Sequence, residues 1–173
     1  MIKRVFMAVT FATALLWSKS GVDIGALIKP YFPPNVSIEK KQFRLSPEEV
    51  RELQKEEQAG IDSGLVRLYT VHDGKKTEGY AVLLLKKIRT KNAAVLYIMD
   101  TKQTIKSIEI VAFAEPQEYK PNRTWQKAFE GKRKDDNLFA GEGVPTISGA
   151  TMSARAISDA CRIAIAIVER YAR

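Results

Sequence analysis

From residue 65 onward the chain alternates between two hydrophobic periods. Leu65 to Val71 places apolar and polar residues in turn. Gly79 to Ile88 is strongly apolar and β-prone around Tyr80, Val82 and Leu84. Ala93 to Met99 follows, and Ile105 to Phe113 alternates again through Ile108, Ile110 and Ala112. The turns between them are short: His72 to Lys76, with the hairpin pair Asp73-Gly74, and Asp100 to Gln103. Successive strands with short turns predict an antiparallel meander, and the alternation predicts one wet face. After residue 153 the period changes. Ala156, Ile157, Ala160, Cys161, Ala164, Ile165 and Val168 recur at three and four residues, with Arg155, Asp159, Arg162 and Glu169 mostly on the other side. This predicts a long amphipathic helix packed on the sheet. A shorter helix begins at Ser46-Pro47-Glu48-Glu49, a capping box with proline at the first position, and runs to about Gln58 before Gly60. The fold class is therefore α+β: an antiparallel sheet of about four strands or more, covered on one face by the C-terminal helix.

The start of the chain follows neither period. Lys3 and Arg4 precede an apolar run from Val5 to Trp17, the pattern of an export signal. The run is short for a membrane span, which needs about twenty apolar residues. It is expected to act as a signal, or as an uncleaved anchor extended by Val22 to Ile28, with the rest of the chain sent across the membrane. Residues 1–28 are thus an export signal or anchor, and 29–45 a linker marked by Pro30, Pro33 and Pro34. Residues 46–173 form a single domain, which a chain of 173 residues can supply with a real core.

Composition narrows the chemistry. The net charge of +8 permits contact with anions. The basic residues are scattered, however, and no Lys/Arg run interleaved with aromatics points to nucleic acid. The single cysteine, Cys161, falls on the apolar face of the last helix and can form no internal disulfide. The single histidine, His72, sits at a strand end. One His and one Cys argue against a His-based metal site or a Ser-His-Asp hydrolase.

The remaining chemistry lies in Ser148-Gly149-Ala150-Thr151-Met152-Ser153, between the loop Gly141-Glu142-Gly143 and the long helix. Three hydroxyls within one turn, beside two small residues at a helix mouth, suit the close approach of an anion. The same residues also suit a plain helix start.

Ser-Gly-Ala-Thr followed by x-Ser resembles the flavinylation signature of the FMN-binding domain family, which includes the periplasmic flavin subunits of the Rnf and sodium-pumping NADH:quinone oxidoreductase complexes. The resemblance extends to Arg89-Thr90-Lys91, to Phe113-Ala114-Glu115-Pro116-Gln117-Glu118-Tyr119, and to Trp125 with Phe129-Glu130-Gly131-Lys132. It covers about Gly64 to Tyr171 and looks like a small stand-alone branch. It implies FMN joined through its phosphate to Thr151, with Ser148, Gly149, Ala150, Met152, Ser153, Arg89, Thr90 and Glu115 as further cofactor-binding residues and no metal. It also implies a separate FAD-using, Mg²⁺-dependent flavin transferase. The role it implies is that of an extracytoplasmic electron carrier, not an enzyme with its own substrate, which meets redox proteins or a membrane electron-transport complex. The chain departs from the family pattern at Pro145, where an Asp is common. Lys132 to Gly143 are expected to wrap the surface and close over the flavin edge. A cofactor-free envelope module of the same fold, or a basic anion-binding protein, are the alternative classes.

Overall fold

Ser46 caps the first long helix as its sequence requires. Its hydroxyl accepts the Glu49 N–H and the Glu49 carboxylate accepts the Ser46 N–H. The computed structural model describes residues 21–172, so the predicted signal at Lys3, Arg4 and Val5 to Trp17 lies outside the described residues. Within them are helices α1 (Ile24–Ile28), α2 (Pro47–Glu56), α3 (Arg123–Gln126) and α4 (Thr151–Tyr171). The strands are β1 (Ser37–Arg44), β2 (Leu65–Asp73), β3 (Lys76–Lys87), β4 (Asn92–Asp100) and β5 (Ile105–Phe113). They form one antiparallel sheet in the order β1-β2-β3-β4-β5.

The four predicted strands are present, and the fold is the expected α+β arrangement. Helix α4 buries Ala154, Ile157, Cys161, Ala164, Ile165 and Val168 in a core shared with Val66, Leu68, Val82, Leu84, Val95, Tyr97 and Ile108. Tyr97 carries a polar group into this layer, and its hydroxyl donates to the Ile157 carbonyl at 2.8 Å. That bond removes the cost of burying the phenol and pins helix to sheet.

Three expectations need correcting. Residues 37–44, expected within a linker, form β1, whose pairing with β2 runs from Ser37↔His72 to Arg44↔Leu65. The stretch Val22 to Ile28, expected to extend an anchor, contributes α1 to the folded domain, with Ile28 fully buried on the sheet; no helix among the described residues is long and apolar enough to cross a membrane. The second sheet face is not wholly wet. Ile28, Val36, Tyr69, Val71, Ala81, Leu83, Leu96 and Ile98 form a second apolar cluster, with Leu27, Tyr31 and Phe32 packed on it. The prolines of the expected linker lie in this covering segment, and Pro30 falls within a 3-10 turn at Lys29–Tyr31. The Tyr31 hydroxyl donates to Glu109 on β5 at 2.7 Å, fixing the segment to the sheet.

Gly79 makes that covering possible. A Cβ at this position would lie 2.4 Å from the Met99 carbonyl oxygen and 2.5 Å from the Phe32 ring. Gly79→Val should therefore destabilise the protein by about 3 kcal/mol, the upper range for overpacking. A lowered urea midpoint with unchanged slope is the expected result, and a midpoint equal to wild type would contradict this close approach.

Candidate functional site

The helix mouth is built by a change of backbone hand. Gly149 has φ 78°, in the left-handed region, and nothing stands within 4 Å of where its Cβ would be. Glycine adopts that conformation without steric cost. Immediately after it, Ala150 is buried and Thr151 is the first helical residue, two positions ahead of the expected start near Ser153. No side chain caps this end. The first intrahelical bond runs from the Ala154 N–H to the Ala150 carbonyl at 3.2 Å. The N–H groups of Thr151, Met152 and Ser153 thus precede the helical ladder and present the positive end of a 21-residue helix dipole.

Thr151 is half-buried, and its hydroxyl donates to the Ile147 carbonyl at 3.3 Å. That is a long bond, and it leaves the oxygen's lone pairs unused. Ser148 and Gly149 are exposed, and Met152, in the first turn of α4, is 51% exposed. Ser153 is 1% exposed and lies at the base of the stretch.

Arg89, Tyr119 and Gly149 to Ser153 line one pocket of about 220 Å³. The structure therefore brings Arg89 from the β3–β4 turn to the helix mouth. Thr90 and Glu115 do not line it; they stand behind it. The Glu115 Oε1 accepts the backbone N–H groups of Arg89, Thr90 and Lys91 at 3.1, 2.6 and 2.8 Å, and the Thr90 hydroxyl at 3.3 Å. Glu115 is a brace for the turn, with its accepting oxygen already committed.

Tyr119 lines the pocket although its sequence context assigned it no site role. The Arg89 guanidinium lies 5.3 Å from its ring centroid. This is a cation–π pair. A second, adjoining groove of about 540 Å³ runs from Ser148 past Ile147, Thr146 and Pro145 to Trp125, Lys120 and Glu118. Pro145, the departure from the family pattern, gives its carbonyl to the Trp125 indole N–H at 2.7 Å. Trp125 in turn meets Phe129 edge-on at 5.2 Å, so the i, i+4 pair anchors this wall to the core.

The loop Lys132 to Gly143 does not close over the pocket. Its Lys134 ammonium pairs with Glu169, and its Phe139 ring lies 3.8 Å from the Arg162 guanidinium. Arg162 is eleven residues along α4 from Thr151, about 16 Å at the helical rise.

The lining contains no carboxylate and no imidazole, so the pocket holds no resident base for the Thr151 hydroxyl. Behind it, the N–H groups of Lys91 and Thr90 outweigh desolvation and hold the Glu115 carboxyl below the usual glutamate range. For Glu109, burial raises the pKa, but the bonds from Arg123 and Tyr31 bring it net below that range as well. A folded-state pKa below the unfolded one contributes stability that is complete above the unfolded value and lost as pH falls through the folded one. Stability should thus fall on acidification below about pH 5. Glu57, whose pKa is raised by burial, works in the opposite sense. Urea midpoints measured against pH check the sign, and Glu109→Gln should flatten the fall. A midpoint that rises as the pH drops would contradict it.

Residues 91–166 match the family model described as the FMN-binding domain. No curated protein matches the chain. The matched span includes Glu115, Tyr119, Trp125 and all of Ser148 to Ser153, and it begins two residues after Arg89. With the helix mouth and its pocket residues from Tyr119 onward inside that span, the chain carries a domain of the FMN-binding family and is a flavin-binding protein.

Proposed function

We propose that the protein is an exported electron carrier that holds FMN as a phosphoester on Thr151. The observation that carries this reading is the position of the Thr151 hydroxyl. It stands at the first residue of a long helix with an uncapped N-terminus, inside the span matched to the FMN-binding domain. The residues present fit a phosphate. The N–H groups of Thr151, Met152 and Ser153 would face its oxygens, Gly149 leaves room for approach, and Arg89 supplies a cation at the pocket wall. The apolar wall of Trp125, Pro145 and Ile147 in the adjoining groove is the surface available to a flat ring. When bound, FMN supplies one- or two-electron chemistry, and the protein supplies position and electrostatics.

Attachment requires help from outside the chain. With no base in the pocket, Thr151 loses its proton to a group of the flavin transferase. The Thr151 Oγ1 would take the FMN phosphoryl group from FAD, its bond to phosphorus forming as the pyrophosphate P–O bond breaks and AMP leaves, with Mg²⁺ held by the transferase. Export is motivated by Lys3 and Arg4 ahead of Val5 to Trp17. An extracytoplasmic location, with or without inner-membrane anchoring, gives a covalent link its value, because a dissociated cofactor is not readily replaced there. Redox proteins or a membrane electron-transport complex would be the partners.

The test is intact-protein mass spectrometry after co-expression with a transferase, with flavin fluorescence measured on denatured protein. The expected result is a mass increased by one FMN and fluorescence that stays with the polypeptide. An unmodified mass would return the cofactor-free envelope module, the reading favoured by Pro145.

A further inference from the structure

We propose that Glu115 is a positioning residue of the pocket, acting through Arg89. Arg89 lies on the turn between β3 and β4, and a long side chain on such a turn has many rotamers to lose. One oxygen of Glu115 receives three consecutive backbone N–H groups of this turn and the Thr90 hydroxyl. Consecutive N–H groups converging on one oxygen form a nest, which fixes the turn's backbone. The Ile88 N–H donates to the Lys91 carbonyl at 3.0 Å and closes the same turn from the other side.

Glu115 is itself held. It follows β5 and is 6% exposed. Pro116 restricts its backbone to an extended form. Four residues on, Tyr119 closes a 3-10 turn through its N–H to the Pro116 carbonyl at 3.0 Å, and its ring receives the Arg89 guanidinium. One short segment, 115–119, therefore grips Arg89 at both ends: its backbone through the carboxylate, its guanidinium through the ring. The consequence is a cation held at the wall of the Thr151 pocket, with no carboxylate in the lining to compete for it. Such a cation discriminates a phosphorylated flavin from an uncharged one. This step rests on the flavin reading; the placement of Arg89 does not.

The experiment uses the full chain produced without a transferase, titrated with free FMN and with riboflavin and followed by flavin fluorescence. Wild type should prefer FMN. Arg89→Gln should lose about tenfold of that preference, the scale of one charge-assisted bond. Glu115→Gln should lose most of the same preference, and the double variant should lose no more than Arg89→Gln alone. Equal preference in Glu115→Gln and wild type, or additive losses in the double variant, would overturn the proposal. A second readout needs no flavin. Ring-current shifts of the Arg89 δ protons from Tyr119 should be present in wild type and absent in Tyr119→Leu and Glu115→Gln. If wild type does not distinguish FMN from riboflavin, the phosphate reading of the pocket fails, and the ring-current shifts alone decide the positioning role. Shifts retained in Glu115→Gln overturn it. Glu115→Asp keeps a carboxylate too short to reach all three N–H groups and should fall between the two; it serves where Glu115→Gln does not fold.

Discussion

Thr151→Val should yield a folded protein that leaves the transferase with no flavin attached. The substitution keeps the branched shape at Cβ and removes only the hydroxyl. Its structural cost is one bond, from Oγ1 to the Ile147 carbonyl at 3.3 Å. Such a bond is worth about 1 kcal/mol. The 21-residue helix behind it is buried along most of its length and does not depend on that bond. The chemical effect is all-or-none, because no phosphoester forms without the oxygen. Thr151→Ser restores the oxygen but not the methyl group that restricts its rotamer, and it should be modified less. Ser148→Ala should be milder, since that hydroxyl is exposed and offers at most a hydrogen bond. Mass spectrometry of the co-expressed variants reads all three, with circular dichroism as the check on folding. A Thr151→Val protein carrying a full FMN mass would move the attachment elsewhere.

Arg162→Met should be among the most destabilising single substitutions in the domain, by about 3 kcal/mol. Arg162 is 7% exposed, yet each of its nitrogens has a role. Nε donates to the Glu57 carbonyl at 2.9 Å, Nη1 to Leu138 at 3.4 Å, and Nη2 to Gln58 at 3.3 Å and to Asp159 at 2.8 Å. Glu57 caps the C-terminus of α2 and Gln58 follows it, turning through φ 47°. Leu138 belongs to the loop before Phe139, whose ring stacks on the guanidinium. Removing the cation strands these carbonyls and leaves Asp159 without its partner. Arg162→Lys should recover little, because an ammonium on a flexible stem cannot fork toward so many fixed acceptors. Urea denaturation gives the answer, and a loss under about 1 kcal/mol would mean that water replaces the guanidinium at low cost. The flavin attachment proposed at Thr151, about 16 Å away along the helix, should survive wherever the variant remains folded.

The strands from β2 to β5 were legible because their alternation reflects burial on a sheet face. Strand β1 was not. Ser37 to Arg44 holds one isoleucine and one phenylalanine, which lie on opposite faces, among six polar residues. Such an edge strand is specified by its partner β2, not by its own pattern, and its lysines suit an unpaired edge. The second covered face was visible in principle. Ala81-Val82-Leu83-Leu84 is apolar at every position. That run signals burial on both sides. Arg162 was assigned to the polar side because periodicity places residues by angle and takes no account of a long side chain reaching inward to buried carbonyls. At the pocket, Thr151 and its neighbours were legible as hydroxyls and small residues before an apolar helix. The role of Glu115 as a brace was not, since nothing local in Glu115-Pro116 points to three N–H groups some 25 residues earlier in the chain.

The linear strand order also sets how the domain assembles. Every neighbouring pair in the sheet is consecutive in the chain. The hairpins joining β2 to β5 close over short turns at small entropic cost. Helix α4 is different: it docks on strands far earlier in the chain and supplies one whole wall of the main core. Hairpins should therefore form quickly and reversibly, while helix docking is the step that commits the chain. Until it occurs, the sheet face under Tyr97 and Val82 is open and the mouth at Thr151 does not exist. If flavin is attached at Thr151 as proposed, modification would be restricted to molecules that have completed folding, and the attached flavin would mark the native state.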